Sequence, residues 1–222
     1  MTAFQTIYEE ALFREGNETA LKSKLPIPKN RNELRKLGDS YYLSVMSRRI
    51  FRAGLKHDMV DARWPAFEEV FHGFDIDRVR MMSNEDLEVA LHDSRIIRHW
   101  TKIKAVRANA QAMHELIEKM QSVGNYLADW PGERIVELWD DLKDRFKQLG
   151  GNSGPYFLRM AGKDTFLLTE YVIRALAKWG AITSEPKGKK ARQAVQDCIN
   201  QWSAESGRPM CQISMLLALS VD

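Results

Sequence analysis

A glycine-rich turn in the second half of the chain has the residue types needed to bind a phosphate group. The run Gly150-Gly151-Asn152-Ser153-Gly154 precedes Pro155, and glycines let a backbone approach a ligand closely. Proline is typical of the first turn of a helix, where unpaired N–H groups attract anions. The backbone of Gly151, Ser153 and Gly154 is therefore predicted to contact phosphates. A simple turn between two helices is the alternative.

A second candidate surface is a basic cluster near the middle of the chain. Arg98, His99, Lys102 and Lys104 follow one another closely, with Trp100 between them. Cationic side chains that contact the phosphates of a nucleic acid release its counterions, which favours binding. Contact with a nucleic-acid backbone is predicted here, and a solvated helix face is an equally good interpretation.

The composition is that of a folded, soluble protein. Hydrophobic residues occupy 44% of the 222 positions, which is enough to bury the core of one large domain or of two packed lobes. The formal net charge of +3 permits a basic face without requiring one. No stretch reaches the roughly 18 apolar residues of a membrane-spanning helix, and the N-terminus carries Glu9 and Glu10 instead of a leader sequence.

The two cysteines favour a reducing compartment. Cys198 and Cys211 have neither the spacing nor the neighbouring histidines of a metal site, and they are typical of buried free thiols. We therefore expect a cytoplasmic protein that is not exported.

The elements that must position these residues are predicted to be helices. Apolar residues recur at helical intervals in three long segments, and no segment alternates with a period of two. The run Ser83-Asn84-Glu85-Asp86 has the pattern of a capping box, which predicts a helix that starts near Asn84. The fold class is therefore predicted to be all-α.

A family resemblance covers residues 53 to 110 without a gap. The motifs that carry it are Ala53-Gly54-Leu55, Phe71, Phe74-Asp75, Ile96-Ile97-Arg98-His99, Lys102-Ile103, Ala105 and Asn109-Ala110. This segment resembles the 3-methyladenine DNA glycosylase I family. Downstream, Asn152-Ser153-Gly154-Pro155-Tyr156 is similar to the hairpin of the wider helix-hairpin-helix DNA glycosylase superfamily. Asn152 and Ser153 replace the usual glycine and apolar residue of that hairpin.

The resemblance implies a fold, a partner and an activity. It implies two helical lobes with a cleft between them, one formed by residues 1–73 and 163–222 and the other, which contains the hairpin, by residues 74–162. It also implies a DNA repair enzyme that binds double-stranded DNA and hydrolyses the N-glycosidic bond of a modified, 3-methyladenine-like base. No cofactor is expected, and the protein is expected to be a monomer. Members that cleave the strand carry a lysine in the hairpin, and residues 150–158 contain none.

The same resemblance assigns candidate site residues. The catalytic carboxylate of the superfamily falls at Thr169 or Glu170, and only Glu170 can serve as the catalytic carboxylate. A carboxylate near the sugar would stabilise the positive charge that develops there or would position a water molecule. Tyr8 is a candidate for stacking on the flipped base, and an ordinary buried tyrosine is the alternative.

Departures from the family pattern concern the base pocket itself. Arg49 stands where family members have a base-recognising glutamate, and His57 stands where a tryptophan stacks on the base. Arg49 would repel a cationic 3-methyladenine. Tyr171 and Ala175 replace two zinc ligands, so no metal is expected. One alternative is therefore a catalytically inactive or altered-specificity paralogue that acts as a DNA-binding protein. Another is a glycosylase of shifted specificity, in which Arg49 and His57 face a neutral or acceptor-rich base such as a hypoxanthine-like or oxidised purine.

Overall fold

The computed structural model describes residues 2–222, and its regular structure is helical. It contains fifteen α-helices and two short 3-10 helices, and no strand occurs among the described residues. The all-α prediction is confirmed. The helix predicted to start near Asn84 does so. Ser83 is its N-cap, the Ser83 Oγ accepts from the Asp86 N–H at 3.1 Å, and the Asp86 carboxylate accepts from the Ser83 N–H.

The first of two compact units combines both ends of the chain with a short internal segment. It contains the described residues up to Lys29, together with Pro131–Leu138 and Asp164–Asp222. Its helices are α1 (Phe4–Glu15), α2 (Glu18–Lys24), α13 (Glu170–Lys178), α14 (Gly188–Ser206) and α15 (Met210–Leu219). Helix α15 packs against α1, α13 and α14. The Trp202 side chain is fully buried, and its indole N–H donates to the Thr2 carbonyl at 3.1 Å.

The second unit contains residues Asn30–Trp130 and Trp139–Lys163. Its helices are α3 (Arg31–Lys36), α4 (Asp39–Arg52), α5 (His57–Ala62), α6 (Trp64–Val70), α7 (Ile76–Arg80), α8 (Asn84–His92), α9 (Trp100–Met120), α10 (Val123–Asp129) and α12 (Ser153–Ala161). Helix α11 (Ile135–Arg145) begins in the first unit and ends in the second. The 3-10 helices are His72–Phe74 and Gly132–Arg134.

These units differ from the predicted lobe boundaries. The prediction grouped residues 30–73 with the chain ends, whereas the structure groups them with the segment that contains the glycine-rich turn. The reason is packing across long sequence separations. Helix α4 packs against α9 and α12, and α3 packs against α10. The amphipathic pattern of α4 shows that one face is buried, but it does not identify the helices that cover that face.

The core of the second unit contains a cluster of aromatic rings. Phe51, Trp64, Phe67, Phe71 and Phe74 are all buried. The Trp64 ring stacks on Phe67 at 4.9 Å and on Phe74 at 5.4 Å between centroids. Phe71 and Phe74, which contribute to the family resemblance, therefore contribute to this core. No helix among residues 2–222 combines the length and apolar character needed to cross a membrane.

Candidate nucleic-acid interface

The glycine-rich turn connects α11 to α12 and is closed by its own backbone. The N–H of Ser153 donates to the Gly150 carbonyl and the N–H of Gly154 to the Leu149 carbonyl, both at 3.1 Å. A Cβ on Gly154 would lie 3.1 Å from that same Leu149 oxygen, a tight contact that favours glycine there. The N–H groups of Ser153 and Gly154 are therefore used inside the turn, contrary to their expected role as phosphate donors.

Gly151 is the member of this turn that keeps the predicted geometry. It is exposed, and its φ of 58° lies in the left-handed region that favours glycine. Its N–H donates no hydrogen bond to another described residue. Lys143 and Lys147 are exposed beside the turn and add positive charge. Sequence reasoning missed both lysines, although their spacing of one helical turn was a usable signal.

Asn109 on α9 fixes the start of this turn. Its side chain is fully buried and pairs with the backbone of Lys147 through two hydrogen bonds. The Nδ2 donates to the Lys147 carbonyl at 3.1 Å, and the Oδ1 accepts from the Lys147 N–H at 2.7 Å. A buried amide that is satisfied on both sides holds a backbone segment in one position. Asn109, which sequence reasoning noted only as a matching residue, therefore positions the turn.

Lys102 differs from its predicted role. Its side chain is only 7% exposed, and its ammonium donates to the Ala53 carbonyl at 2.7 Å and to the Phe51 carbonyl at 3.3 Å. Burial and the neighbouring Arg49 charge lower the pKa of Lys102. The C-terminal end of α4 carries unpaired carbonyls and a partial negative charge, which a lysine stabilises. Lys102 is a cap for α4 and not a surface cation.

The remaining members of the basic cluster are available to solvent. Arg98 and His99 are exposed, and His99 is the N-cap residue of α9. Lys104 is also exposed, and its ammonium lies 5.1 Å from the centre of the Trp100 ring. The cluster thus keeps three exposed basic side chains, those of Arg98, His99 and Lys104.

Arg49 and His57 both belong to the second unit. The Arg49 guanidinium stacks on the Tyr156 ring of α12, with its carbon 4.5 Å from the ring centre. Its neighbour Arg52 forms a two-pronged ion pair with Asp61. His57 is exposed at the first position of α5.

Tyr8 and Glu170 belong to the first unit. The Arg208 guanidinium covers one face of the Tyr8 ring at 4.9 Å, so a base can stack only on the other face. Glu170 is 82% exposed and pairs with Arg174 at 2.9 Å. A catalytic role for Glu170 predicts a carboxylate that points away from solvent, whereas the first position of α13 faces outward. Thr169 is the N-cap of that helix, and its hydroxyl accepts from the Val172 N–H at 3.3 Å.

No metal-binding group is evident in the part of the chain that the structure describes. No three His, Cys, Asp or Glu side chains of residues 2–222 cluster in a way that could hold an ion. Neither Cys198 nor Cys211 forms a disulfide with another described residue.

The comparison with protein families decides where this chain belongs. The methyladenine glycosylase family model matches residues 35–149, which is more than half of the 222 residues. The chain belongs to the methyladenine glycosylase family. Enzymes of this family are DNA glycosylases, which hydrolyse the N-glycosidic bond of damaged bases, and membership supports a DNA repair glycosylase role. A comparison with curated proteins finds no match.

Solved structures of DNA glycosylases share the fold. The structure of 3-methyladenine DNA glycosylase I from Staphylococcus aureus is 22% identical, with a TM-score of 0.51 over 68% of this chain and 85% of that one. An 8-oxoguanine glycosylase/lyase from Methanocaldococcus jannaschii, in complex with DNA, is 11% identical, with a TM-score of 0.56 over 96% and 95%. The 8-oxoguanine DNA glycosylase of Thermotoga maritima is 14% identical, with a TM-score of 0.52 over 96% and 94%.

Some candidate site residues of this methyladenine glycosylase family member lie inside the range that the family model matches, and others lie outside it. Arg49, His57 and the Arg98 cluster lie inside residues 35–149, and the turn begins at the end of that range. Tyr8 and Glu170 lie outside it. The assignment of Glu170 therefore depends on the superfamily resemblance alone, and that of Tyr8 depends on a family resemblance outside the matched range.

Proposed function

We propose that this chain is a monofunctional DNA glycosylase that binds double-stranded DNA and hydrolyses the N-glycosidic bond of a modified base. The observation that carries the proposal is the turn that leads from Lys147 to the glycine-rich run, where Lys147, Gly150 and Gly151 are exposed. The buried Asn109 side chain holds the start of this turn in place, within a chain of the methyladenine glycosylase family. Gly151, Lys143 and Lys147 offer backbone and cationic donors there, and such contacts bind DNA without reading its sequence.

The reaction requires the modified nucleotide to leave the base stack. Water then adds to the sugar C1′ while the bond from C1′ to the base nitrogen breaks, and the bonding electron pair leaves with the base. A carboxylate near C1′ stabilises the positive charge of the sugar and accepts the proton of the attacking water. We propose Glu170 for this role. Its carboxylate is exposed and so can be reached by a bound substrate.

The proposed enzyme is monofunctional and works without a cofactor. Residues 150–158 contain no lysine that could form a Schiff base with the sugar, so the enzyme leaves an abasic site and does not cleave the strand. Hydrolysis of this bond needs no cofactor. We propose that the protein acts as a monomer in the cytoplasm. Cys198 and Cys211 form no disulfide among the described residues, which agrees with a reducing compartment.

Base release from damaged DNA tests this function directly. The purified chain is incubated with duplex DNA that carries alkylated, deaminated or oxidised bases, and the released bases are separated by chromatography. We expect release of a modified base and alkali-labile abasic sites, with no strand cleavage before alkali treatment. No release of any modified base at micromolar enzyme would refute the enzymatic proposal.

A second candidate function is a DNA-binding protein without catalysis. The exposure of Glu170 and its ion pair with Arg174 favour this alternative, because an active-site carboxylate is usually shielded from water. The same assay separates the two functions. Tight binding to damaged duplexes without base release would identify the binding protein.

A further inference from the structure

The Arg49 guanidinium is partly removed from solvent and lies against an aromatic ring. It stacks on the Tyr156 ring at 4.5 Å, its Nε is shielded from solvent, and that Nε has no hydrogen-bond partner. The side chain as a whole is half-buried. Burial lowers the pKa of Arg49 and the Arg52 charge lowers it further, while Tyr156 opposes the shift. A partly desolvated cation is costly unless another group compensates it.

Two neighbouring cations, Arg52 and Lys102, are compensated, whereas the Nε of Arg49 and the Nε of the adjacent Arg48 are buried without a hydrogen-bond partner. Arg52 pairs with Asp61, and Lys102 donates to two backbone carbonyls. Among residues 2–222, no carboxylate lies within ion-pair distance of Arg49. Its terminal nitrogens donate no hydrogen bond to another described residue. The stacking on Tyr156 fixes the plane of the guanidinium, so its terminal N–H donors point in fixed directions and can bind two acceptors at once.

We propose that Arg49 determines substrate specificity by selecting an uncharged purine that presents two adjacent hydrogen-bond acceptors. A 6-oxopurine such as hypoxanthine is the representative of this class, because its O6 and N7 match the two donors of an arginine fork. This inference rests on the proposed function, since it assumes that the protein binds a modified base.

The charge of Arg49 argues against a cationic base in contact with it. Two like charges near 4 Å repel each other more strongly as water is excluded, and Arg52 and Lys102 add positive charge nearby. A neutral purine avoids this repulsion and supplies the acceptors that the guanidinium lacks. A base with an amino group at position 6 presents an N–H donor to the N–H donors of Arg49, and neither group then has an acceptor.

The burial of Arg49 favours a base over a backbone phosphate as its ligand. Phosphate contacts are usually made by exposed cations that shed counterions, and Lys143, Lys147 and Arg98 are exposed. Arg49 instead lies against an aromatic ring with its Nε excluded from water. Flipped bases bind in such surroundings, between aromatic or apolar groups and a few polar ones.

Normal guanine presents the same edge, and its exclusion has a separate cause. Extrusion from the helix costs least for a mismatched or damaged base, so a weakly paired hypoxanthine leaves the stack more readily than a paired guanine. Arg49 thus selects among bases that are already easy to extrude.

The test compares three variants at two neighbouring positions. Arg49→Gln removes the charge and the fork, Arg49→Lys keeps the charge without the fork, and Arg48→Gln is the matched control. Arg48 occupies the adjacent position of α4 and stacks on Trp64 at 4.7 Å. Two substrates are used, a duplex with a single hypoxanthine and methylated duplex DNA that carries 3-methyladenine.

We expect both Arg49 variants to lower hypoxanthine release roughly 10- to 100-fold, as for loss of a bidentate arginine contact to a base. Release of 3-methyladenine should not fall in Arg49→Gln, because the repulsion is gone. Arg48→Gln should leave the ratio of the two rates unchanged. Wild-type release of 3-methyladenine without hypoxanthine would overturn the Arg49 proposal while leaving the glycosylase proposal intact.

Equilibrium binding separates the remaining outcomes. If the wild type releases neither base, a preference for the hypoxanthine duplex over undamaged DNA that Arg49→Gln abolishes still supports this inference, and the glycosylase proposal is decided by the wider set of modified bases. The absence of such a preference overturns it. Arg49→Gln could instead weaken binding to both duplexes equally and lower the slope of log K against log salt by about one. That result would show that Arg49 contacts a phosphate, and it would overturn the inference as well.

Discussion

The ammonium of Lys102 donates a hydrogen bond to the carbonyl of Ala53 across 2.7 Å and so closes the C-terminal end of α4. Lys102-Ile103 and Ala53-Gly54-Leu55 are two of the motifs that carry the family resemblance, and this contact joins them in space. A fully paired, nearly buried lysine has a structural role. The family resemblance at these positions therefore reflects the fold and does not indicate contact with DNA.

Replacing Lys102 should destabilise the protein without changing the electrostatics of DNA binding. Lys102→Met removes a charged donor from two carbonyls, and the expected loss in the free energy of unfolding is about 2–3 kcal/mol. Urea unfolding measures it, with Lys104→Met as an exposed control that should change stability little. The salt dependence of DNA binding should be the same for Lys102→Met as for the wild type. A slope of log K against log salt that is lower by about one would show that Lys102 contacts a phosphate.

Arg98 should behave in the opposite way. It is exposed, and Arg98→Gln should weaken binding to all duplexes about equally and lower the slope of log K against log salt by roughly one. Arg95→Gln is the matched control, because Arg95 already pairs with Asp93 and Glu69. Fluorescence anisotropy at several salt concentrations gives the slope. If both variants keep the wild-type slope, Arg98 does not contact a phosphate.

Gly124 allows α10 to lie directly on α3. A Cβ at this position would sit 2.6 Å from the Leu34 carbonyl oxygen and 3.2 Å from the Arg35 Cα, and both are backbone atoms that cannot turn aside. Gly124→Ala should lower the free energy of unfolding by about 1–3 kcal/mol through overpacking. Gly132→Ala is the control, since its nearest contact would be an ordinary 3.7 Å to a methionine methyl group. Equal stability of the two variants would show that α3 can shift at no cost.

Asp39 should give stability a small dependence on pH. Burial raises the pKa of Asp39, although its Oδ1 accepts a hydrogen bond from the Val123 N–H at 2.8 Å, which lowers it. A carboxyl whose pKa is raised on folding contributes stability below its unfolded pKa of about 3.9, and loses that contribution as pH rises through the folded pKa. The substitution Asp39→Asn keeps an acceptor for the Val123 N–H and removes the titrating group.

The comparison of the wild type with Asp39→Asn isolates this contribution. Urea unfolding between pH 4 and 7 should show the wild type losing stability relative to the variant as pH rises, by less than about 1 kcal/mol because the carboxyl is partly solvated. A difference that moves in the wild type's favour with rising pH would mean that the Val123 hydrogen bond outweighs burial.

Local sequence rules predicted the parts of this fold that depend on local interactions. The capping box at Ser83 is read from four consecutive residues, and the helix begins where that pattern placed it. The helical period of apolar residues likewise predicted the all-α class. Both signals arise within a single helix, so they need no knowledge of its neighbours.

The roles of Lys102 and Asn109 depend on residues far along the chain and were not predictable in this way. A lysine on an amphipathic helix is usually exposed, and nothing near Lys102 shows that the end of α4 lies within reach of its ammonium. Asn109 pairs with the backbone of Lys147, which is 38 positions away. The same limit applies to Arg49, whose contact with Tyr156 joins α4 to α12.

Glu170 tests whether the chain is an enzyme or a binding protein. Glu170→Gln keeps the shape of the side chain and removes its charge, and loss of a group that stabilises transition-state charge typically lowers the rate by a factor of about 100 to 1,000. Stability and DNA affinity should not change, because the side chain is 82% exposed and its surface ion pair with Arg174 contributes little. Single-turnover release of a neutral base measures the rate.

Glu10→Gln provides a control for Glu170, because Glu10 also pairs with an arginine four positions later, Arg14, and in addition with Lys178. A neutral base should be affected more than a cationic one, since the glycosidic bond of a cationic base is already weak and needs less help from a carboxylate. Full activity of Glu170→Gln on a neutral base, equal to that of Glu10→Gln, would remove Glu170 from the mechanism. Base release would then depend on binding and extrusion of the base, or on a carboxylate elsewhere in the chain.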